Sequence, residues 1–152
     1  MPVPGAAANG RIPSGSAATL RGMTASQNPG IARFGVVALD CPDPVALARF
    51  YSALTGWPLQ VDDEPGNWVQ LDPPEGRGAA LAFQRVSGYR PPQWPDQEVP
   101  QQLHIDFDVP DLDAGEEQVL AIGARKHDVQ PAPDAFRVYL DPAGHPFCLV
   151  RD

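Results

Sequence analysis

The stretch FRVYLDPAGHPFCLV, Phe136 to Val150, decides the fold. Phe136, Val138 and Leu140 alternate with Arg137 and Tyr139, the period-2 pattern of a strand half-buried against a core. Asp141, Pro142 and Gly144 then bring turn chemistry, proline presetting φ and glycine permitting positive φ. Phe147 and Leu149 resume an apolar face. By alternation, Phe136, Val138, Leu140, Phe147 and Leu149 are expected against the core, with Arg137, Tyr139 and Cys148 pointing the other way. His145, next to the turn glycine, reads as a hairpin cap or a solvent-facing group.

Upstream, the same kind of unit occurs twice. VVALDCPD at Val36 to Asp43 recurs as HIDFDVPD at His104 to Asp111, 68 residues later, with Asp40 matching Asp108 and Pro42-Asp43 matching Pro110-Asp111. Each copy is a strand running into a helix start. Asp43 and Asp111 are set to cap those helices, because a carboxylate there accepts orphan backbone N–H groups at the positive end of the dipole. Val45, Leu47, Ala48, Phe50, Tyr51 and Leu54 give the first helix an apolar stripe before Gly56. Leu112, Val119, Leu120 and Ile122 do the same before Gly123, which puts His127 near the end of the second helix.

The terminal hairpin and the repeated unit together resemble the vicinal oxygen chelate superfamily, the glyoxalase, bleomycin-resistance and extradiol-dioxygenase group. The resemblance covers about 34–150 and implies an α+β fold: two βαβββ modules packed side by side, their curved mixed sheets around a cavity. Module 1 is then about 34–87, module 2 about 103–150, and residues 88–102 join them. It also implies a homodimer, since paired modules in this group often come from different chains, and sheet edges would otherwise stay unpaired.

Within module 1, Trp57–Val61, Asn67–Leu71 and Ala79–Val86 read as strands separated by Asp62–Gly66 and Asp72–Gly78. The joining segment GYRPPQWPDQEVPQQ contains four prolines, which forbid helix and central strand alike. A loop of that length carrying Tyr89 and Trp94 binds something or covers something, so Trp94 either pins the crossover on the sheet or lines a pocket.

Charge narrows the partners. Residues 1–33 contain Arg11, Arg21 and Arg33 and no acid, which leaves 8 basic against 19 acidic residues in 34–152, a balance of −11. So acidic a body argues against nucleic acid and against anionic membranes, both of which need clustered Lys and Arg. Residues 1–33 are rich in Ala, Gly, Ser and Pro without periodicity and read as a flexible tail. The tail is either an extension, with Met23 as a second candidate start, or an acid-free organellar targeting segment. No stretch has the apolar length of a secretory signal or a membrane span. Two cysteines, Cys41 and Cys148, make no disulfide framework and agree with a reducing cytoplasm.

In the family that the chain resembles, one face of each sheet packs on its helix and the other lines the cavity. On this pattern Ile105, Phe107 and Val109 meet the helix, and His104, Asp106 and Asp108 face the cavity. Trp68, Gln84, Trp94, Arg137, Tyr139 and Cys148 are the candidate ligand-binding residues. His104 and Asp106 are the candidate catalytic pair, as base and orienter, although a strand histidine beside a carboxylate also makes a plain structural bond. The resemblance places metal ligands on the first and last strands of each module, here Val36, Ala82 or Gln84, His104 and Cys148. Only His104 matches. Valine and alanine have no donor atoms, so the expectation is no metal cofactor; a divalent ion, if used, would rest on His104 and Cys148 with Asp106. The function expected is metal-independent binding of a small molecule, an aromatic metabolite or antibiotic. The alternative is a lyase, isomerase or dioxygenase using a divalent metal or the His104/Asp106 pair, and a third reading is an assembly partner with a vestigial pocket.

Overall fold

A computed structural model describes residues 31–60, 66–76 and 78–152. Strand β1 (Val36–Cys41) leads into helix α1 (Pro44–Thr55), whose start is set by its sequence. Asp43 Oδ1 accepts the N–H groups of Val45 and Ala46 at 3.1 and 3.2 Å, and Pro44 occupies the first turn, where no N–H is needed. Gly56 closes the helix at φ 71°, its N–H donating to Ser52 O. Strands β2 (Trp68–Leu71) and β3 (Ala80–Arg85) complete the first module. The second runs through β4 (Ile105–Val109), α2 (Leu112–Ala121), β5 (Arg125–Lys126), β6 (Phe136–Leu140) and β7 (Pro146–Arg151). Asp111 caps α2 through the Ala114 N–H at 2.8 Å, the counterpart of Asp43 in the repeat.

Two small mixed sheets result. The first has the order β1-β3-β2, with β1 parallel to β3 and β2 antiparallel to it; the second has the order β4-β7-β6-β5, with β4 parallel to β7. Each module therefore pairs its first strand with its last, and the architecture is the α+β arrangement of two modules. Module 2 is a full βαβββ unit. Module 1 is βαββ among the described residues, because residues 57–60 pair with no strand and 61–65 lie outside the description. Trp57 and Leu59 still pack on the core. The helix-end placement of His127 is corrected: the chain leaves α2 at Ala121, forms β5, and places His127 after it. Among the described residues no helix is long and apolar enough to cross a membrane.

Helix α1 packs on both sheets. Tyr51 stacks on Phe83 of β3 at 5.3 Å and approaches Phe107 of β4 at 6.1 Å, while Phe50 meets Phe147 of β7 edge-on at 5.8 Å. A carboxylate is buried beside this apolar cluster, in contact with Tyr51. Asp141 is 0 % exposed and is the one buried charged side chain among the described residues. It accepts four bonds: Tyr51 O–H at 3.0 Å, the N–H groups of Ala143 and His145 at 2.9 and 3.0 Å, and His145 Nδ1–H at 2.7 Å. Burying a lone carboxylate costs several kcal/mol, and four donors, each worth about 1.5–3 kcal/mol to a charged acceptor, offset it.

Strand β6 faces the opposite way from the alternation reading. The register sets Arg137 opposite Leu149, Tyr139 opposite Phe147, and Val138 opposite Cys148. Arg137 and Tyr139 therefore lie on the helix face, and both find partners on α2. Arg137 donates to Asp113 at 2.6 Å and to Glu116 at 2.9 Å, and Tyr139 O–H donates to Glu116 at 2.8 Å. Burial works against Glu116 ionising, but the bonds from Lys126, Tyr139 and Arg137 outweigh it and hold this carboxyl below its ordinary value. Polar residues occupy the helix face because the acidic helix satisfies them, which leaves Phe136 and Val138 for the other side.

Replacing Asp141 with alanine strips the acceptor from Tyr51, His145 and two backbone N–H groups. Chemical denaturation is expected to show a loss of about 3–5 kcal/mol, the range for breaking a buried paired charge. A loss below about 1 kcal/mol would mean that the turn is held by packing alone.

Candidate functional site

The face of the second sheet turned away from α2 carries Val138, Cys148 and Asp106 in adjacent positions, because Cys148 is opposite Val138 on one side and Asp106 on the other. Above it lies a cavity of about 170 Å³ lined by Trp94, Gln101, His104, Pro131, Phe136, Val138, Pro146 and Cys148. Trp94 forms one wall and meets His127 edge-on at 5.2 Å. The crossover thus both covers the sheet and lines the chamber.

A chain of polar contacts runs along its floor. The Cys148 thiol lies within 4.8 Å of an Asp106 carboxylate oxygen, and burial first and Asp106 second push it up to about 12. Asp106 Oδ1 lies 3.5 Å from His104 Nε2, and His104 Nδ1 lies 3.5 Å from Gln101 Nε2. The chain ends at Gln101 Oε1, a buried oxygen with no hydrogen-bond partner.

A second cavity, about 260 Å³, adjoins the first and shares Gln101, His104 and Pro146 with it. Its walls come from β1 and the crossover, with Asp40, Tyr89, Arg90 and His145 supplying polar groups. His145 closes the hairpin turn and does not face solvent. Its ring is 14 % exposed, Nδ1 is committed to Asp141, and Nε2 lies 3.0 Å from Tyr89 Oη and 2.9 Å from the Asp40 carbonyl oxygen. Burial, with Asp141 next, pushes the Tyr89 hydroxyl well above its ordinary range, so it stays protonated.

Of the residues expected to bind ligand, Trp94 and Cys148 line the smaller chamber together with His104, and Asp106 sits beside them. Trp68 and Gln84 do not join them. They pair with each other on the open face of the first sheet, where Trp68 is 45 % exposed, and line neither chamber. Arg137 and Tyr139 are removed from the cavity by the β6 register described above. Sequence reasoning missed Gln101, Phe136, Val138 and His145 as lining residues, and named Tyr89 only as part of a crossover that binds or covers something. The signal for His145 was available, since Asp141 four residues earlier is the natural partner for a histidine beyond a turn.

The metal question turns on the donors present. His104, Asp106 and Cys148 offer one nitrogen, one oxygen and one sulfur, all within 4.8 Å of one another. Such a mixed set suits zinc and does not suit magnesium or manganese, which prefer oxygen. A metal would have to displace a thiol proton held up to about 12. Val36 and Ala82 contribute no donor, and Gln84 lies on the other sheet.

The sequence profile of the glyoxalase-like domain matches residues 36–150. The chain belongs to this family, within the vicinal oxygen chelate superfamily. No curated protein sequence matches it. Among solved structures, it is similar to a glyoxalase/bleomycin resistance protein/dioxygenase family enzyme from Burkholderia phytofirmans PsJN, at 18% identity and TM-score 0.56 over 79% of this chain and 98% of that one. A glyoxalase-related enzyme from Fulvimarina pelagi matches at 21% identity and TM-score 0.56, covering 79% and 88%. TnmS3, an antibiotic binding protein from Streptomyces sp. CB03234, matches at 19% identity and TM-score 0.53, covering 82% and 98%. At these identities the likeness is one of fold.

Both thiols are set against reactivity. Burial, with Asp43 next, pushes Cys41 up to about 11, as burial and Asp106 push Cys148 to about 12. A raised thiol pKa means that the proton is retained below it, so at pH 8 only about one molecule in a thousand, or in ten thousand, presents a thiolate. Native protein at pH 8 should leave both cysteines unlabelled by a disulfide reagent that modifies both at once in denaturant. Rapid native labelling of either one would contradict the assigned environment.

Proposed function

We propose that the protein binds a small, mostly apolar aromatic molecule in the Trp94–Cys148 chamber and does so without a metal. The observation that carries this reading is the make-up of the chamber: aromatic, proline and aliphatic walls, with a few polar groups along one line at the floor. That composition is the usual one for a small-molecule site, where apolar area gives affinity and sparse polar groups give orientation. Val36 and Ala82 support the metal-free reading, because they stand at two of the positions where the family carries ligands and have no donor atom. The antibiotic binding protein with the same fold supports a sequestering role of this kind. The reading places the protein in the cytoplasm as a homodimer. Trp68 and Val36, 45 % and 38 % exposed on one face of the first sheet, offer apolar surface for a second copy.

A lyase or isomerase with zinc, or a dioxygenase with a redox-active divalent metal in the same place, is the second reading, favoured by the convergence of His104, Asp106 and Cys148. Those three would hold the ion, and it would polarise an oxygen of the substrate. Without a metal, His104 oriented by Asp106 could still serve as a general base toward a ligand in the chamber.

Elemental analysis, light scattering and calorimetric titration of the purified chain with bicyclic aromatics separate these readings. The expected result is no stoichiometric transition metal, twice the chain mass, and binding that falls about tenfold or more in Trp94→Ala, the scale of losing a buried aromatic anchor. One tightly held zinc per chain, whose removal abolishes binding, would replace the first reading with the second.

A further inference from the structure

Neither chamber alone has the size of an ordinary small-molecule site. The smaller holds about 170 Å³ and the larger about 260 Å³, against a usual lower bound of about 300 Å³. Gln101, His104 and Pro146 line both, so the two adjoin, and joined they pass that bound. A ligand that fills the space extends past His104 from one chamber into the other.

The two ends differ in chemistry. Trp94, Phe136 and Val138 wall the smaller chamber and suit a ring. Asp40, Tyr89, Arg90 and His145 line the larger and suit a polar group. Asp40 and Arg90 carry opposite charges, so this end has no excess that favours an acid over an amine or the reverse. Tyr89 sets the hydrogen bonding instead. Its hydroxyl is half-buried, keeps its proton, and spends one bond on His145 Nε2 at 3.0 Å. If Oη donates in that bond, its lone pairs stay free; if it accepts, its proton stays free. An alcohol both donates and accepts, and so matches Tyr89 in either arrangement.

We propose that the two chambers form one binding site for an aromatic alcohol, its ring against Trp94 and its hydroxyl, on a short uncharged arm, bonded to Tyr89. The inference rests on the smaller chamber being a small-molecule site, and it adds the second half of the ligand. Asp141 holds His145, and His145 holds the Tyr89 hydroxyl at the wall where the arm ends.

Probes that share one ring test it: indole, 3-propylindole, indole-3-propanol and, with charged arms, indole-3-propionate and indole-3-propylamine. Calorimetric titration of the full chain at pH 7 is expected to give indole-3-propanol about five- to tenfold tighter than 3-propylindole, the worth of one hydrogen bond, and tighter than either charged probe. In Tyr89→Phe the ratio between the alcohol and 3-propylindole should fall to about one, whatever happens to the two affinities together. Ala38 is exposed on β1 and lines the larger chamber only, so Ala38→Leu fills that end and leaves Tyr89 in place. There indole-3-propanol should lose about tenfold relative to indole. Equal wild-type binding of the alcohol and 3-propylindole, a ratio that survives Tyr89→Phe, no relative loss in Ala38→Leu, or tighter binding of a charged arm overturns the inference and leaves the smaller chamber as a binding site. Failure of every probe to bind withdraws the chamber reading itself, and this inference falls with it.

Discussion

The structure depends on one buried anion. Asp141 sits in the turn of the last hairpin and fastens that turn to α1 through Tyr51, 90 residues away in the chain. The same turn holds His145, whose ring reaches the crossover at Tyr89 and the backbone of β1 at Asp40. Gly144 completes the fastening. It adopts φ 94°, and a Cβ there would come within 2.7 Å of Pro91, so the crossover can lie on the turn only because this residue is glycine. First strand, first helix, crossover and last hairpin are thus joined at one point, and a carboxylate without its donors could not remain there.

That fastening creates the chamber. Held by Tyr89 and Pro91, the proline-rich segment passes over the second sheet and brings Trp94 and Gln101 above Val138 and Cys148. Strand β6 can offer the chamber the apolar Phe136 and Val138 because its polar residues are used elsewhere. Arg137 and Tyr139 are drawn to the helix side by Asp113 and Glu116, where charge-assisted bonds satisfy them. The acidic face of α2 therefore shapes a cavity on the other side of the sheet.

The repeat at Val36 and His104, the caps Asp43 and Asp111, and the D-P-x-G turn were enough to read the fold from the sequence. The faces of β4 were equally legible, since Ile105, Phe107 and Val109 alternate cleanly with two acids. Strand β6 was not. Its apolar residues suggested a core face, and Glu116 and Asp113, which satisfy Arg137, lie 21 and 24 residues away in the chain, so alternation alone points the wrong way. The register would have corrected it: with Phe147 and Leu149 against the core, pairing across the turn puts Tyr139 and Arg137 beside them. Trp68 and Gln84 were placed on the face opposite α1, but they line neither of the two chambers. Gln101 had no signal in the sequence. It comes to line both chambers only once the crossover has folded over His104.

The central claim, that ligands enter the second-module chamber and not the open face of the first sheet, is tested most directly by NMR chemical-shift mapping during an indole titration. The side chains of Trp94, Val138 and Gln101 should move together and saturate together, with Trp68 and Gln84 unaffected. Saturable shifts at Trp68 and Gln84, with Val138 unmoved, would contradict it.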